Sequence, residues 1–461
     1  MKKHITKRQT TIKKSKSLEK LNYKAVGIDV GANSIFVCAG LADGTQMIRE
    51  FSTFTDDLNA MAEWLEILGC DGIAMESTGV YWIPVYDILS AASFNVSLVD
   101  ARVLNAVPGR NKTDVTDCQW IQQLHAYGLL KGAFRPDDQS VTFRGYVRQH
   151  TRLTEAAATQ IQLMHKALTQ MNIQLRQVLR SIASLTGLQI IRAIVNGERD
   201  AYVLAEYRDP RCKNKKEDIA KALTANYRDE LIFSLKQALE GYDFFQQQIA
   251  HCETKITPFL AAWKPKKNDS EALENIDKNV CKETVDSKIN SPQTIVNLQK
   301  IFDVNLTDIP GISINSAIKL LAEIGNNISN FPTVKHFTAW IGVCPNNKIS
   351  GSKILSSKTK PTANRVAQIL RMAANTLYRS KTALGEFLRR MKVRIGAPAA
   401  ITATAHKLAK IIFKMLTEKK EFKEAGENAY QRRYEERMLI NIKRKAAAMG
   451  YDIVKVEPKV A

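Results

Sequence analysis

Two aspartates three residues apart, Asp114 and Asp117, open an apolar-periodic run through Trp120, Ile121 and Leu124. Residues at i and i+3 share one helix face, so both carboxylates can point at one spot. At an effective dielectric of about 20, two charges about 4 Å apart repel by about 4 kcal/mol. A cation between them relieves that repulsion, and Mg²⁺ takes one or two carboxylates together with phosphate oxygens. Two further acids stand in unusual places. Asp29 lies in the middle of the apolar run AVGIDVG, and Glu76 ends the apolar run GIAME ahead of Ser77, Thr78 and Gly79. An acid in a buried strand is costly unless it is paired or metal-bound. Taken singly, each has a plainer reading: a solvated first turn capped by Thr113, or a strand-end carboxylate that caps the next turn. Taken together, in the order Asp, Glu, Asp-x-x-Asp, they are the set that positions one or two divalent ions for phosphodiester chemistry.

The elements that must position these acids are legible in the pattern. KAVGIDVGANSIFVCAGL alternates around a Gly-Ala-Asn break, which predicts a hairpin: a strand ending near Asp29, a turn over Gly31 to Asn33, and a strand from Ser34. A third strand fits Gln46 to Ser52. Leu58, Met61, Trp64, Leu65 and Leu68 mark a helix, GIAMES is a buried strand that delivers Glu76, Val80 to Ala91 is a helix, NVSLVD is a strand, and Asp114 starts the next helix. Three strands followed by alternating helix and strand predict an α/β domain with a mixed sheet.

Beyond it the chain reads as helical. A long helix is predicted from Val141, with no glycine between Gly145 and Gly187 and with Leu168 on its apolar stripe, and a second from about Arg228 to Phe259. Their length predicts a helical hairpin or a coiled coil, serving as a dimerisation arm, a nucleic-acid contact or both. Trp263 to Pro292 is polar and nearly free of aromatics, as in a linker. LTDIPGISINSAIKLLAEIG is either half of a helix-hairpin-helix, whose Pro310-Gly311 turn offers N–H groups to a phosphate, or a plain core element. Ser350-Gly351 falls in a polar loop before a helix over Thr362 to Leu377. Lys348, Lys353, Lys358, Lys360, Arg365 and Arg371 surround it, although a serine beside a glycine is most often only a turn. Pro398 to Leu416 is an amphipathic helix, and a charged tail follows. These readings divide the chain into a basic arm (1–21), a metal domain (22–140), a helical arm (141–262), a polar linker or insertion (263–298), a C-terminal domain (299–420) and a charged tail (421–461).

Composition narrows the class. The chain has 461 residues, 45% hydrophobic and 25% charged, which is ordinary for globular domains, but its formal net charge is +21. An excess of that size points to a polyanion partner, most simply nucleic acid. Seven scattered cysteines form no C-x-x-C pair, so neither a zinc site nor a disulfide framework is expected. That usage fits a reducing cytosol. No apolar run approaches membrane-spanning length, and the basic N-terminus lacks the apolar core of a secretory signal.

GIDVG with Asp29, MESTGVYW with Glu76, GRNKTDVTD with Asp114 and Asp117, GLLKGAFRP, the PGIS segment, and AWIGVCP followed by Ser-Gly together resemble the insertion-sequence transposases of the IS110 family, nearer its IS1111 branch. The resemblance implies an RNase H-like (RuvC-like) domain with a DEDD metal site, a helical coiled-coil arm, and a mainly helical C-terminal transposase domain with a nucleophilic serine. It implies a site-specific DNA recombinase that excises and inserts its own element, guided by a structured bridge RNA that pairs with target and donor DNA. Asp29, Glu76, Asp114 and Asp117 fall on the metal ligands, for Mg²⁺ or Mn²⁺, and Ser350 falls on the nucleophile. The family pattern there is Ser-Ser-Gly; this chain has Ile349 in place of the first serine, Ser352 and Ser356 where glycines are common, and Ala363 before Asn364. The expected partners are DNA, guide RNA and further copies of the chain, as a dimer or tetramer. No membrane is involved, and the expected location is the bacterial cytoplasm, at the nucleoid. The rival readings are a RuvC-like junction nuclease that uses water, which needs the four acids but not Ser350, and a non-catalytic scaffold, which needs none of the five.

Overall fold

The computed structural model describes residues 19–70, 72–77, 79–100, 104, 113–263, 288–424 and 426–454. Most of the expected basic arm and of the polar linker therefore lies outside the described residues. The chain divides into two compact units, residues 1–135 and 136–461.

The first unit is built on a five-stranded mixed sheet in the order β3-β2-β1-β4-β5: β1 (Ala25–Val30), β2 (Ser34–Gly40), β3 (Gln46–Ser52), β4 (Gly72–Glu76) and β5 (Val96–Val99). β1, β2 and β3 pair antiparallel, whereas β1–β4 and β4–β5 pair parallel. The parallel pairs need crossovers, and these are α1 (Thr55–Ile67) and α2 (Trp82–Ala91). Successive residues of a strand point to opposite faces, and the two faces here differ in kind. Val26, Ile28, Ile35, Val37, Ile73 and Met75 are bulky and bury a core with Leu58, Met61, Leu65, Val85 and Leu89 of α1 and α2. The other face carries Ala25, Gly27, Cys38, Gly40, Gly72 and Ala74, all small. A third helix, α3 (Asp114–Ala126), lies on that small-residue face and buries Cys118, Ile121, Gln122 and Ala126. This arrangement fits an RNase H-like α/β domain.

The second unit is helical. α4 (Asp138–Gln170) and α5 (Asp229–Ala261) are 33 residues each. They run antiparallel, as their contacts show: Phe143 stacks on Phe259 at 5.6 Å, and His150 meets Glu253 at 3.4 Å. Between Gly145 and Gly187 the sequence offers no glycine to stop the first helix. It ends at Gln170, because Asn172 adopts the left-handed φ of 63° that stops a helix. Short helices over Leu175–Val178, Leu185–Val195, Ala201–Ala205 and Lys216–Leu223 then cap the hairpin. Leu168 is buried in that cap, beside Ile190, Ile194 and Leu235. The apolar stripe of the arm is thus covered by its own chain, which is the hairpin reading of the sequence.

The remainder comprises α6 (Pro292–Phe302), α7 (Ile314–Ile324), α8 (Val334–Ile341), a two-stranded ribbon β6 (Lys348–Ser350) and β7 (Lys353–Ser356), α9 (Arg365–Thr376), α10 (Ala383–Ile395), α11 (Ala397–Glu418) and α12 (Glu427–Ala448). The Pro310-Gly311 turn is a packing element. Ile309 and Ile312 on either side are buried, and a side chain on Gly311 would meet the Ala373 carbonyl at 2.7 Å. Among the described residues, no helix is long and apolar enough to cross a membrane.

Candidate metal centre

β1 and β4 run parallel with Ile28 opposite Met75, so Asp29 and Glu76 follow one step further along both strands. Both side chains lie on the α3 face, at the carboxyl ends of adjacent parallel strands, where α/β sheets place their ligands. The helix brings the other pair. A Cβ on Gly27 would meet Gln122 N at 2.2 Å and Cys118 O at 2.3 Å, and one on Gly72 would meet His125 Nε2 at 3.2 Å. The helix therefore runs backwards along β1, with its first turn at the Asp29 end. Asp114 and Asp117 continue the stripe formed by Cys118, Ile121 and Gln122, with Asp117 half-buried and Asp114 at the exposed tip.

Three contacts hold the helix in that register. Gln122 is buried, its Nε2 donates to Ala25 O at 3.2 Å, and its Oε1 accepts from Gln46 Nε2 at 2.7 Å. The Cys38 and Cys118 thiols meet in the same layer; this contact first, and burial second, hold the Cys118 thiol above its ordinary range. Thr113 starts the helix as its N-cap, accepting from Thr116 N at 3.2 Å, and the Thr116 hydroxyl accepts from Thr113 N at 3.0 Å. The capping reading of this segment and the ligand reading are both satisfied, because the cap is made by threonines and leaves the aspartates to face the strands.

Electrostatics ties the four acids together. The Asp29 carboxyl is pushed up from 3.8 to about 6, by burial first, then by the charges of Glu76, Asp117 and Asp114 in that order. A hydrogen bond from the Val30 backbone pulls weakly the other way. Each of the other three acids is thus near enough for its charge to be felt at Asp29. Among the described residues, no three His, Cys, Asp or Glu side chains are grouped so that they could hold a metal ion. The donors are hard oxygens, which suits Mg²⁺ or Mn²⁺ and not a thiophilic metal.

The raised pKa sets a pH dependence. Below about pH 4 Asp29 is protonated in both folded and unfolded chains. Between there and pH 6 the folded chain holds a proton that the unfolded chain has released, so this contribution to stability is lost as pH rises through 6. In chelator, the melting temperature of the parent is expected to fall by a few degrees more between pH 5 and 7 than that of Asp29→Asn, and Mg²⁺ is expected to raise the parent alone at pH 7. Identical pH slopes for the two proteins would show that the Asp29 carboxyl is not raised in the folded chain.

Ser350 belongs to the other unit, 136–461. Its segment, expected as a polar loop, is a tight ribbon. Ser350 pairs with Lys353, and the two residues between them, Gly351 and Ser352, have φ of 49° and 68°. Two left-handed residues make a type I′ hairpin turn. Ser350 therefore ends a strand and shares a face with Lys353, while Ser352 is taken up by the turn. The segment that leads from the ribbon into α9 is pinned to α8: Thr362 Oγ1 donates to Ile341 O at 3.3 Å, and Asn364 Nδ2 donates to Trp340 O at 3.2 Å. Asn364 also caps α9 through Val366 N at 2.9 Å. The sequence reading overlooked Gly27, Gly40, Ala74 and Gln122, which seat α3. Their signal was present in the alternation of small with bulky residues along β1 and β4.

Comparison with known protein families gives two matches. Residues 26–173 match the DEDD transposase model of IS110 type, a span that contains all four acids. Residues 303–389 match the model for the transposase IS116/IS110/IS902 family, a span that contains the Ser350 ribbon. No curated protein matches the chain. The two matched segments together span just over half of the sequence: the chain belongs to the IS110 family of transposases.

Proposed function

We propose that this transposase is a site-specific DNA recombinase that excises and inserts a mobile element through a serine–DNA intermediate, with Asp29, Glu76, Asp114 and Asp117 as its metal ligands and Ser350 as its nucleophile. What supports the reading is the backbone layout: Asp29 and Glu76 stand at the carboxyl ends of the paired strands β1 and β4, and α3, laid against Gly27, begins with Asp114 and Asp117 at the same end. A divalent ion held there supplies polarisation of the scissile phosphate and stabilises charge on its oxygens. The remaining work falls to the chain. Ser350 Oγ forms a bond to phosphorus while the phosphorus–sugar oxygen bond breaks; the hydroxyl proton leaves, and the departing sugar oxygen takes one up. A sugar hydroxyl of the exchanged strand then attacks the phosphoserine and returns the serine hydroxyl. Lys353, across the ribbon from Ser350, offers an ammonium on the same face to the phosphate being transferred.

A structured guide RNA pairing with both DNAs supplies the sequence choice in this reading, which suits a chain of net charge +21. In this reading a dimer or tetramer couples cleavage to the pairing of two DNAs. Such an enzyme acts in the bacterial cytoplasm, at the nucleoid.

The test is Asp114→Asn. Asp114 is exposed and is the first residue of α3 after the Thr113 cap, so the fold survives its neutralisation. Cleavage in Mg²⁺ is expected to drop at least a hundredfold, with DNA and RNA affinity changed no more than a few-fold. A variant that cleaves at the parent rate shows that the acids are not a metal site.

A further inference from the structure

Residues 365–417 contain eleven Lys and Arg and a single acid, Glu386. That one carboxylate is already engaged: its Oε2 accepts from Arg389 Nη2 at 3.0 Å and its Oε1 from Arg390 Nε at 2.6 Å. Arg379 and Lys392 form no ion pair with any described carboxylate. Both line a cleft of about 330 Å³ where α9 passes into α10 and α11. Asn375, Tyr378, Leu388 and Ile401 line it as well.

Tyr378 is the distinctive group. It sits on the 3-10 turn Leu377–Arg379, anchored by Leu377, which is buried, and by Arg389 Nη1, which donates to Tyr378 O at 3.2 Å. The residue is nevertheless 46% exposed, and Lys392 Nζ lies over one face of its ring, 4.1 Å from the centroid, which leaves the other face to a base. An aromatic ring fixed in place at the surface, bordered by cations that no acid neutralises, is the combination that stacks a base and holds its phosphate. A duplex offers no free base face to such a ring. An enzyme that exchanges strands must open base pairs, so it meets unpaired nucleotides in each cycle.

We infer that this cleft seats one unpaired nucleotide, with Tyr378 stacking the base and Arg379 and Lys392 holding the flanking phosphates. The inference rests on the reading of the chain as a recombinase that opens nucleic acid, but it needs none of the chemistry assigned to the four acids or to Ser350. DNA strand and guide RNA present the same chemistry here, and the experiment separates them.

The full chain is titrated in chelator, so that no cleavage occurs, with a labelled 20-nucleotide single-stranded DNA, the RNA of the same length, and a fully paired DNA duplex. Tyr378→Ser is expected to weaken single-strand binding about tenfold or more and to leave duplex binding unchanged, while Tyr378→Phe binds as the parent does. Arg379→Gln with Lys392→Gln should weaken both and lower the salt slope by one to two. In parallel, single strands carrying 5-iodouracil are photolysed on the parent and the adduct is mapped. An adduct at Tyr378 in the DNA arm, the RNA arm or both supports the seat and names the strand that fills it. Binding of all three probes that is the same in Tyr378→Ser as in the parent, or adducts that avoid residues 375–392, overturns the seat while leaving the recombinase reading intact. A chain that binds none of the probes overturns both. A Phe variant that loses binding together with Ser shows that the hydroxyl, and not the ring face, is used, and this also overturns the stacking role.

Discussion

Gly27→Ala is expected to abolish metal-dependent cleavage, by a hundredfold or more, although it adds one carbon atom and lies two residues from the nearest candidate ligand. The added Cβ would fall 2.2 Å from Gln122 N, 2.3 Å from Cys118 O and 2.8 Å from Gln122 Cα. All three are backbone atoms of one helix, so no side chain can turn aside and the whole of α3 must lift. Overpacking of this kind costs about 1–3 kcal/mol, which the unit can survive. The site cannot, because Asp114 and Asp117 travel with the helix, and a misplacement of about 1 Å can cost about a hundredfold in rate. Gly145→Ala is the matched control: it is helical, exposed and has open space around its Cβ, and Ala favours the helix by about 1 kcal/mol. The measurement is cleavage in Mg²⁺ together with the circular-dichroism melt of both variants. A Gly27→Ala protein that is folded and cleaves within a few-fold of the parent means that the seating of α3 does not set the site.

That glycine also shows where the sequence stops being sufficient. The strands, the hairpin turn and the start of α3 at Asp114 follow from alternation, from the Gly-Ala-Asn break and from a threonine cap, all of which are local signals. The β3-β2-β1-β4-β5 order is not local. It depends on which strand edges the crossovers α1 and α2 reach, and on one face being bulky and the other small. Ala25, Gly27, Gly72 and Ala74 read singly as ordinary residues of buried strands; only with α3 laid against them do they become a trough. The arm shows the same limit in reverse. Its apolar stripe with Leu168 promises a partner, but periodicity does not say whether that partner is another chain or, as here, the cap and second helix of the same one.

The site divides in the same way. Four acids could be picked out because carboxylates in apolar strands and in an i, i+3 pair are expensive, and expense is visible in sequence. That Asp29 carries a raised pKa was not visible: it follows from its burial on the central strand β1, with Glu76 beside it and the helix above. Around Ser350 the loss is larger. Lys353 is three residues away in sequence and gives no sign of sharing its face, and the turn that brings this about needs Ser352 at a positive φ that serine seldom adopts. Tyr378, Arg379 and Lys392 come together only because a 3-10 turn and a following helix fold back on each other.

Ser350→Ala is expected to remove every trace of protein-linked DNA and all strand exchange, while leaving nucleic-acid binding unchanged. A serine nucleophile passes through a covalent adduct, and a metal-dependent nuclease that activates water does not. The substitution removes one exposed oxygen at the end of β6. The hydrogen bonds that tie the segment after the ribbon to α8 are made by Thr362 and Asn364 and do not involve it. Ser352→Ala is the companion variant. Its side chain sits on the turn with a φ of 68°, a position that alanine also tolerates poorly, so it should loosen the ribbon and slow exchange without removing the adduct. The reaction is run on a labelled paired-site substrate, denatured and resolved by gel. The parent should show a linked band that protease digestion shifts, Ser350→Ala none, and Ser352→Ala a weaker one. Loss of the band in Ser352→Ala with persistence in Ser350→Ala would move the nucleophile into the turn. Full cleavage by all three proteins with no band in any would leave the four acids as the whole catalytic apparatus, working on water, and would make the ribbon a DNA contact and nothing more.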